Sequence, residues 1–191
     1  NDTYLLYWII YMNIFYLDND PKVAAEMHCD KHVVKMILET AQMLSSAHHV
    51  WGSPHAECVY KAAYLPHPST KWVASGKAQY QWAYLLFLDL LHEYECRYDK
   101  THASDRLREF LGDNPVGEDI EFTPPPQCMP DEYKHDCTVT AYRNYYIGEK
   151  AYFARWDRLE QYFIKSGQKN SYIPFCPPHW WPINNVNKEV A

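Results

Sequence analysis

Residues 28 to 42, HCDKHVVKMILETAQ, leave a helix almost no side to turn toward water. With residues placed about 100° apart, Met27, Val34, Leu38 and Ala41 fall on one side. Val33, Ile37 and Leu44 continue that arc, and Met36 and Met43 extend it. His28, His32, Lys35, Glu39 and Gln42 recur at helical spacing and fill a separate sector about 80° wide. A surface helix shows one apolar stripe and a broad polar face. Here Lys22, Glu26, Cys29 and Thr40 are nearly all that is left for solvent. The helix is therefore expected at the centre of the fold, with its polar stripe lining a cleft or a buried network.

The rest of the chain supplies helices to surround it. Asp18 or Asp20 can cap the first helix and Pro21 suits its first turn, so it runs over about 21–47. NIFYL, residues 13–17, reads as a short strand or an extended lead-in. Pro54, Pro66 and Pro68 break the connection over 52–68, which has room for one helical turn at Cys58–Tyr64. Ser69 can cap a second long helix over about 70–99, and a shorter one follows over 103–111. Residues 112–135 hold Gly112, Pro115, Gly117 and Pro124–Pro126 and no periodic pattern, which marks an ordered loop that covers something. Asp136 or Thr138 can cap a last long helix over about 139–165, and CPPHWWP leads an extended aromatic strap. The expected class is all-α: three longer helices and short ones in a single domain over 12–191. Residues 1–11 read as an extension, non-native or a hydrophobic arm, too short an apolar run to cross a membrane.

The chemistry of the stripe is not that of an ordinary wet face. Surface stripes mix Glu, Lys and Arg, whereas two histidines, a lysine, a glutamate and a glutamine form a proton-active set. A structural polar network and a solvated face are the competing readings. Other groups are placed to join it. His67 sits between two prolines in LPHPSTKW, Tyr133 lies in the long loop, and Arg143, Tyr146 and Lys150 fall along one helical face. His28 and His32, at i and i+4, can share a metal ion. Glu39 is nearly two turns from His32, and neither HExxH nor ExxH is present. No other cofactor is implied. The six cysteines form no CxxC pair and read as reduced thiols. The net charge of −6 removes a broad electrostatic case for nucleic acid and leaves only a local basic cleft.

MNIFYLDNDP, HCDKHVVKMILETAQML, HPSTKW, MPDEYK and AYRNYYIGEKAYFARW together span most of 12–156. In these stretches the chain resembles an uncharacterised family of short proteins of phages and large DNA viruses. Its layout also resembles the pyrimidine-dimer DNA glycosylase (endonuclease V) superfamily of small all-helical enzymes. In both, an early helix carries a histidine followed by acidic and basic residues, a His-bearing turn opens the next long helix, and an aromatic stretch closes the chain. In that superfamily a free N-terminal amine attacks the damaged sugar and a helix glutamate assists. This chain departs on both counts. Eleven residues precede Met12, Lys35 stands near the glutamate's place, and Glu39 comes one turn later.

The resemblance implies a viral nucleic-acid base or nucleotide enzyme of glycosylase or lyase type in the cytoplasm of an infected host cell, with DNA or a nucleotide as partner. In that reading Glu39 serves as acid or base and Lys35 as a Schiff-base amine or phosphate ligand. His28, His32 and His67 orient substrate or move protons. Gln42, Arg143, Tyr146, Lys150 and Tyr133 hold phosphate or stack on the base. Two alternatives stand beside it: a metal-dependent helical enzyme built on His28 and His32, and a non-enzymatic viral protein that binds a host factor or small ligand.

Overall fold

The Asp20 carboxylate accepts the Lys22 N–H at 2.8 Å, and Pro21 takes the first helical position, where no N–H is needed. From this cap the chain enters an all-α fold. The structure, a computed structural model, describes residues 13–158 and 177–182. Its helices are α1 Pro21–Met27, α2 Asp30–Val50, α3 Pro68–Val73, α4 Lys77–Tyr98, α5 Arg108–Gly112 and α6 Thr138–Lys150. Ala103–Leu107 and Asp131–Tyr133 are 3-10 turns. No strand occurs among the described residues, and residues 13–17 form a buried extended lead-in. None of the described helices is long and apolar enough to cross a membrane.

α2 is the centre. It packs against α4 and α3, while α1 packs against α4. Fourteen of its 21 residues are buried, which leaves Lys31, Lys35, Leu38 and Val50 as its exposed side chains.

Three expected helices end differently. The helix expected over 21–47 is two, because the chain is extended at His28 and Cys29, with ψ of 135° and 160°. No glycine or proline causes the break. The last carbonyls of a helix lack intrahelical partners, and here distant groups supply them. Arg97 of α4 donates to the His28 carbonyl at 2.7 Å and the Glu26 carbonyl at 3.1 Å. The Trp156 indole donates to the Met27 carbonyl at 3.2 Å. Arg97 also donates to Glu93, an ion pair at 2.7 Å, and to Asp30 at 3.1 Å, in a site from which water is nearly excluded.

The helix expected over 70–99 is also two. His67, not Ser69, caps α3, its Nδ1 accepting the Ser69 N–H at 3.1 Å. α4 begins again after Gly76, where a Cβ would collide with Gln79 and Ile120. The 113–130 segment crosses this junction. Lys77 N–H donates to the Glu118 carbonyl at 2.8 Å, the Gln79 amide to the Glu121 carbonyl at 2.9 Å, and the Trp72 indole to the Thr123 carbonyl at 2.9 Å.

The last helix starts after Cys137 rather than Asp136 and stops at Lys150, not near 165. Its Lys150 carbonyl takes the N–H groups of Phe153 and Ala154, and the chain then extends so that Arg155 can accept the Asp30 N–H at 2.8 Å. No helical turn forms at Cys58–Tyr64. Cys29, Cys58, Cys96, Cys128 and Cys137 are free thiols. The N-terminal extension, Cys176 and most of the C-terminal strap lie outside the described residues. Within the described part of the strap, Trp180 and Trp181 sit edge-on to Tyr146.

Candidate functional site

The polar stripe divides along its length, with His28 in the break before α2 and His32, Lys35, Glu39 and Gln42 on α2 itself. At the His end it is sealed. His28 is fully buried, and its Nδ1 donates to the Ala24 carbonyl at 2.6 Å. Burial pushes its pKa down to about 4. His32 lies in a box of rings: Phe15 stacked at 4.5 Å, with Tyr146 at 5.1 Å and Phe153 at 5.2 Å, both edge-on. Burial, followed by the His28, Lys150 and Lys35 charges, pushes His32 down to about 2. Both imidazoles are therefore neutral at physiological pH. His28 Nε2 and His32 Nδ1 are buried without hydrogen-bond partners. Among the described residues no group of three His, Cys, Asp or Glu side chains is arranged to hold a metal ion.

At its other end the stripe opens. Lys35 and Glu39 form an ion pair at 3.1 Å, with side chains 46% and 12% exposed. Lysine before glutamate is the weaker order for a helix pair, yet the pair is made, because Glu39 is held in the protein and Lys35 reaches it from solvent. Burial raises the Glu39 carboxyl above the usual carboxylate range, while Lys35, the Asn13 backbone N–H and Lys150 oppose that rise. Glu39 Oε2 is buried and has no hydrogen-bond partner. Gln42 follows one turn on, half-buried.

α6 supplies the facing wall. Lys150 is half-buried, with its Nζ 4.7 Å from the centre of the Tyr145 ring, 6.0 Å from that of Phe15 and 3.5 Å from the Tyr145 hydroxyl. Burial and then the Lys35 charge lower its pKa from the usual lysine value. The structure thus brings together Lys35, Glu39 and Lys150 at the mouth of a wall formed by Phe15, Tyr145 and His32. A carboxyl held above its usual range beside an amine held below its own is an arrangement that amine and acid–base chemistry uses.

Other expected members have different placements. Arg143 shares a face of α6 with Lys150, but that face is covered by the lead-in. Its Nε donates to the Leu17 carbonyl at 2.9 Å, and it pairs with Asp18 at 3.2 Å. Tyr146 is fully buried, and its hydroxyl accepts the Cys29 N–H at 2.9 Å, so it fixes the α1–α2 break rather than stacking on a ligand. Tyr133 donates to Glu149 at 2.8 Å, which raises its pKa to about 12, and its ring tilts against Tyr145 at 5.6 Å. His67 is buried as the α3 cap. The adjacent Ser69 hydroxyl lies 3.6 Å from Cys128 Sγ, and the Cys128 carbonyl accepts from the Asn13 side chain at 2.7 Å.

Phe15, Tyr145 and Asn13 are members that sequence reasoning missed. Tyr145 and Tyr146 are neighbours in NYYIGEK, and periodicity alone does not say which ring accompanies Lys150. Phe15 and Asn13 belong to a segment with no periodicity at all.

The chain matches no protein-family model, no curated protein and no solved structure.

Proposed function

We propose that the protein is a nucleic-acid base or nucleotide enzyme of DNA glycosylase or lyase type, acting where α2 and α6 bring Lys35, Glu39 and Lys150 together. The observation that carries this reading is Glu39. Its carboxyl is nearly buried, has one oxygen on Lys35 and the other without a partner, and is held above the usual carboxylate range. Such a group keeps a proton to higher pH than a surface glutamate and delivers it to a leaving base or a carbonyl oxygen. Lys35 and Lys150 supply amine chemistry and local positive charge in a chain that is acidic overall. Phe15 and Tyr145, both buried, form the aromatic wall behind them.

The buried histidines are scaffold in this reading. Neutral and ringed by aromatics, His28 and His32 shape α2 and hold Phe15 against it.

The test is borohydride trapping of the full chain on duplex DNA carrying a pyrimidine dimer or an abasic site. A covalent adduct and strand cleavage are expected. Glu39→Gln keeps the side-chain shape, so it should melt as the wild type does and lose about 100-fold or more in cleavage. No adduct with either duplex, or full cleavage by Glu39→Gln, would end the proposal.

A further inference from the structure

We infer that Lys150, not the more exposed Lys35, is the nucleophilic amine of this site, and that Lys35 is a positioning residue that acts on it through charge. This deepens the lyase reading above and rests on it for the substrate, an abasic deoxyribose aldehyde, but not for the reactivity of the amine.

The geometry separates the two lysines. Lys35 projects from the exposed side of α2 and is ion-paired to Glu39 at 3.1 Å, so its Nζ is already engaged. Lys150 ends α6 half-buried, with its Nζ over the Tyr145 ring and facing Phe15. An aromatic face attracts an ammonium, but loss of water around it works the other way. The charged and titratable groups acting on Lys150 are Lys35 and Glu39 from α2, Cys29 from the α1–α2 break and its neighbour Glu149. Burial is the largest influence and the Lys35 charge the next, and both favour the neutral amine. A lysine desolvated beside a second cation is the arrangement that makes a free amine available near neutral pH. Tyr145, whose hydroxyl is 3.5 Å from Nζ, limits where the amine can point.

The chemistry balances without any further reagent. The neutral Nζ adds to the aldehyde carbon as the C=O π pair moves to oxygen. That oxygen takes a proton from the Glu39 carboxyl, and nitrogen returns one to the carboxylate. The hydroxyl then takes a proton from the Glu39 carboxyl and leaves as water, and the protonated imine that remains gives its proton back to the Glu39 carboxylate. Amine and aldehyde thus give imine and one water, and Glu39 ends as it began.

A small aldehyde tests the amine apart from DNA. The full-length protein is treated with pyridoxal 5′-phosphate at pH 7, reduced with borohydride and mapped by peptide mass spectrometry. Label is expected first on Lys150. Lys35→Met removes the neighbouring charge, so labelling of Lys150 at pH 7 should fall several-fold and its pH profile should move to higher pH. Preferential label on Lys35 or on outlying lysines, or a Lys150 profile unchanged in Lys35→Met, would overturn the assignment. The wild-type map decides even if a Lys150→Arg variant fails to fold. Trapping on abasic DNA separates the two ideas. An adduct through Lys35 keeps the lyase reading and overturns this one. Aldehyde label on Lys150 with no DNA adduct supports the amine and removes the DNA substrate.

Discussion

Arg97 has five N–H groups, and each meets an oxygen: two point to Glu93, one to Asp30, and one each to the Glu26 and His28 carbonyls. Replacing it by Met keeps much of the volume and leaves two buried carboxylates and two helix-end carbonyls without their donor. Removing one partner of a buried ion pair costs about 3–5 kcal/mol, and Arg97→Lys should recover only part, since an ammonium cannot reproduce the planar fork. Urea unfolding measures this, and a loss below about 1 kcal/mol, the scale of a surface pair, would refute it. In the sequence Glu93 and Arg97 look like an ordinary helix-surface pair, because nothing local announces Asp30, 67 residues away. The α2 stripe was legible for the opposite reason. Its order depends only on helical spacing, so His32, Lys35 and Glu39 were found together, whereas His28 lies in the break before α2, where that spacing no longer holds. Which of them open to solvent depends on Phe15 and α6, which spacing does not carry.

At the scale of elements, the helix starts were more legible than the helix breaks. Asp20–Pro21 is a local signal, and so is a helix opening at Pro68. The interruption at His28–Cys29 is not, since Arg97 and Trp156 create it from far away. The pairing of α6 with the 3-10 turn at 131–133 was equally hidden. Gly148 lies under the Tyr133 ring, where a Cβ would collide with it. Gly148→Ala favours the helix by propensity but must push Tyr133 off Glu149. The Glu149 hydrogen bond, the main reason that Tyr133 titrates near 12, would then be lost. In the variant this tyrosine should titrate closer to the usual 10, as read by spectrophotometric or NMR titration. An unchanged value near 12 would show that the turn follows α6 despite the methyl group.

Across the whole molecule, three buried histidines decide the acid response. Burial lowers His28 and His48 to about 4 and His32 to about 2, from an ordinary 6.5. Between 6.5 and about 4 the unfolded chain binds protons that the folded one refuses. Stability from these groups is therefore whole above 6.5 and falls as pH falls, by up to about 1.4 kcal/mol per unit for each. Glu39 has the reverse sign: its raised pKa lets the folded state keep a proton that the unfolded state has lost, so its term favours folding at low pH and fades as pH rises through the folded value. Burial raises Asp30 and Asp89 in the same sense as Glu39, while His102 is lowered with the other imidazoles, so four histidines oppose three carboxyls and the imidazoles set the response at the upper end of the range, near the ordinary histidine value. Urea unfolding from pH 7 to pH 5 should show stability falling steadily. A flat profile would mean that these imidazoles are not buried in neutral form.

The lead-in that walls the site also sets a schedule for synthesis. Asn13 is held by Cys128 and Tyr142, and Leu17 by Arg143, partners 115 to 129 residues further along. At ribosomal rates of about 5–20 residues per second, those partners emerge roughly 6–26 s after the lead-in does. α1, α2 and α4 can assemble meanwhile and offer His32 to Phe15 and Trp82 to Tyr16, but the face of the lead-in that packs on Tyr142, Tyr145 and Tyr146 has nothing to cover it. For that interval the nascent chain carries an uncharged, apolar, extended stretch of the kind that chaperones bind and that aggregates when left open. The segment that completes the site is thus the first part of the described chain to be made and among the last to be folded.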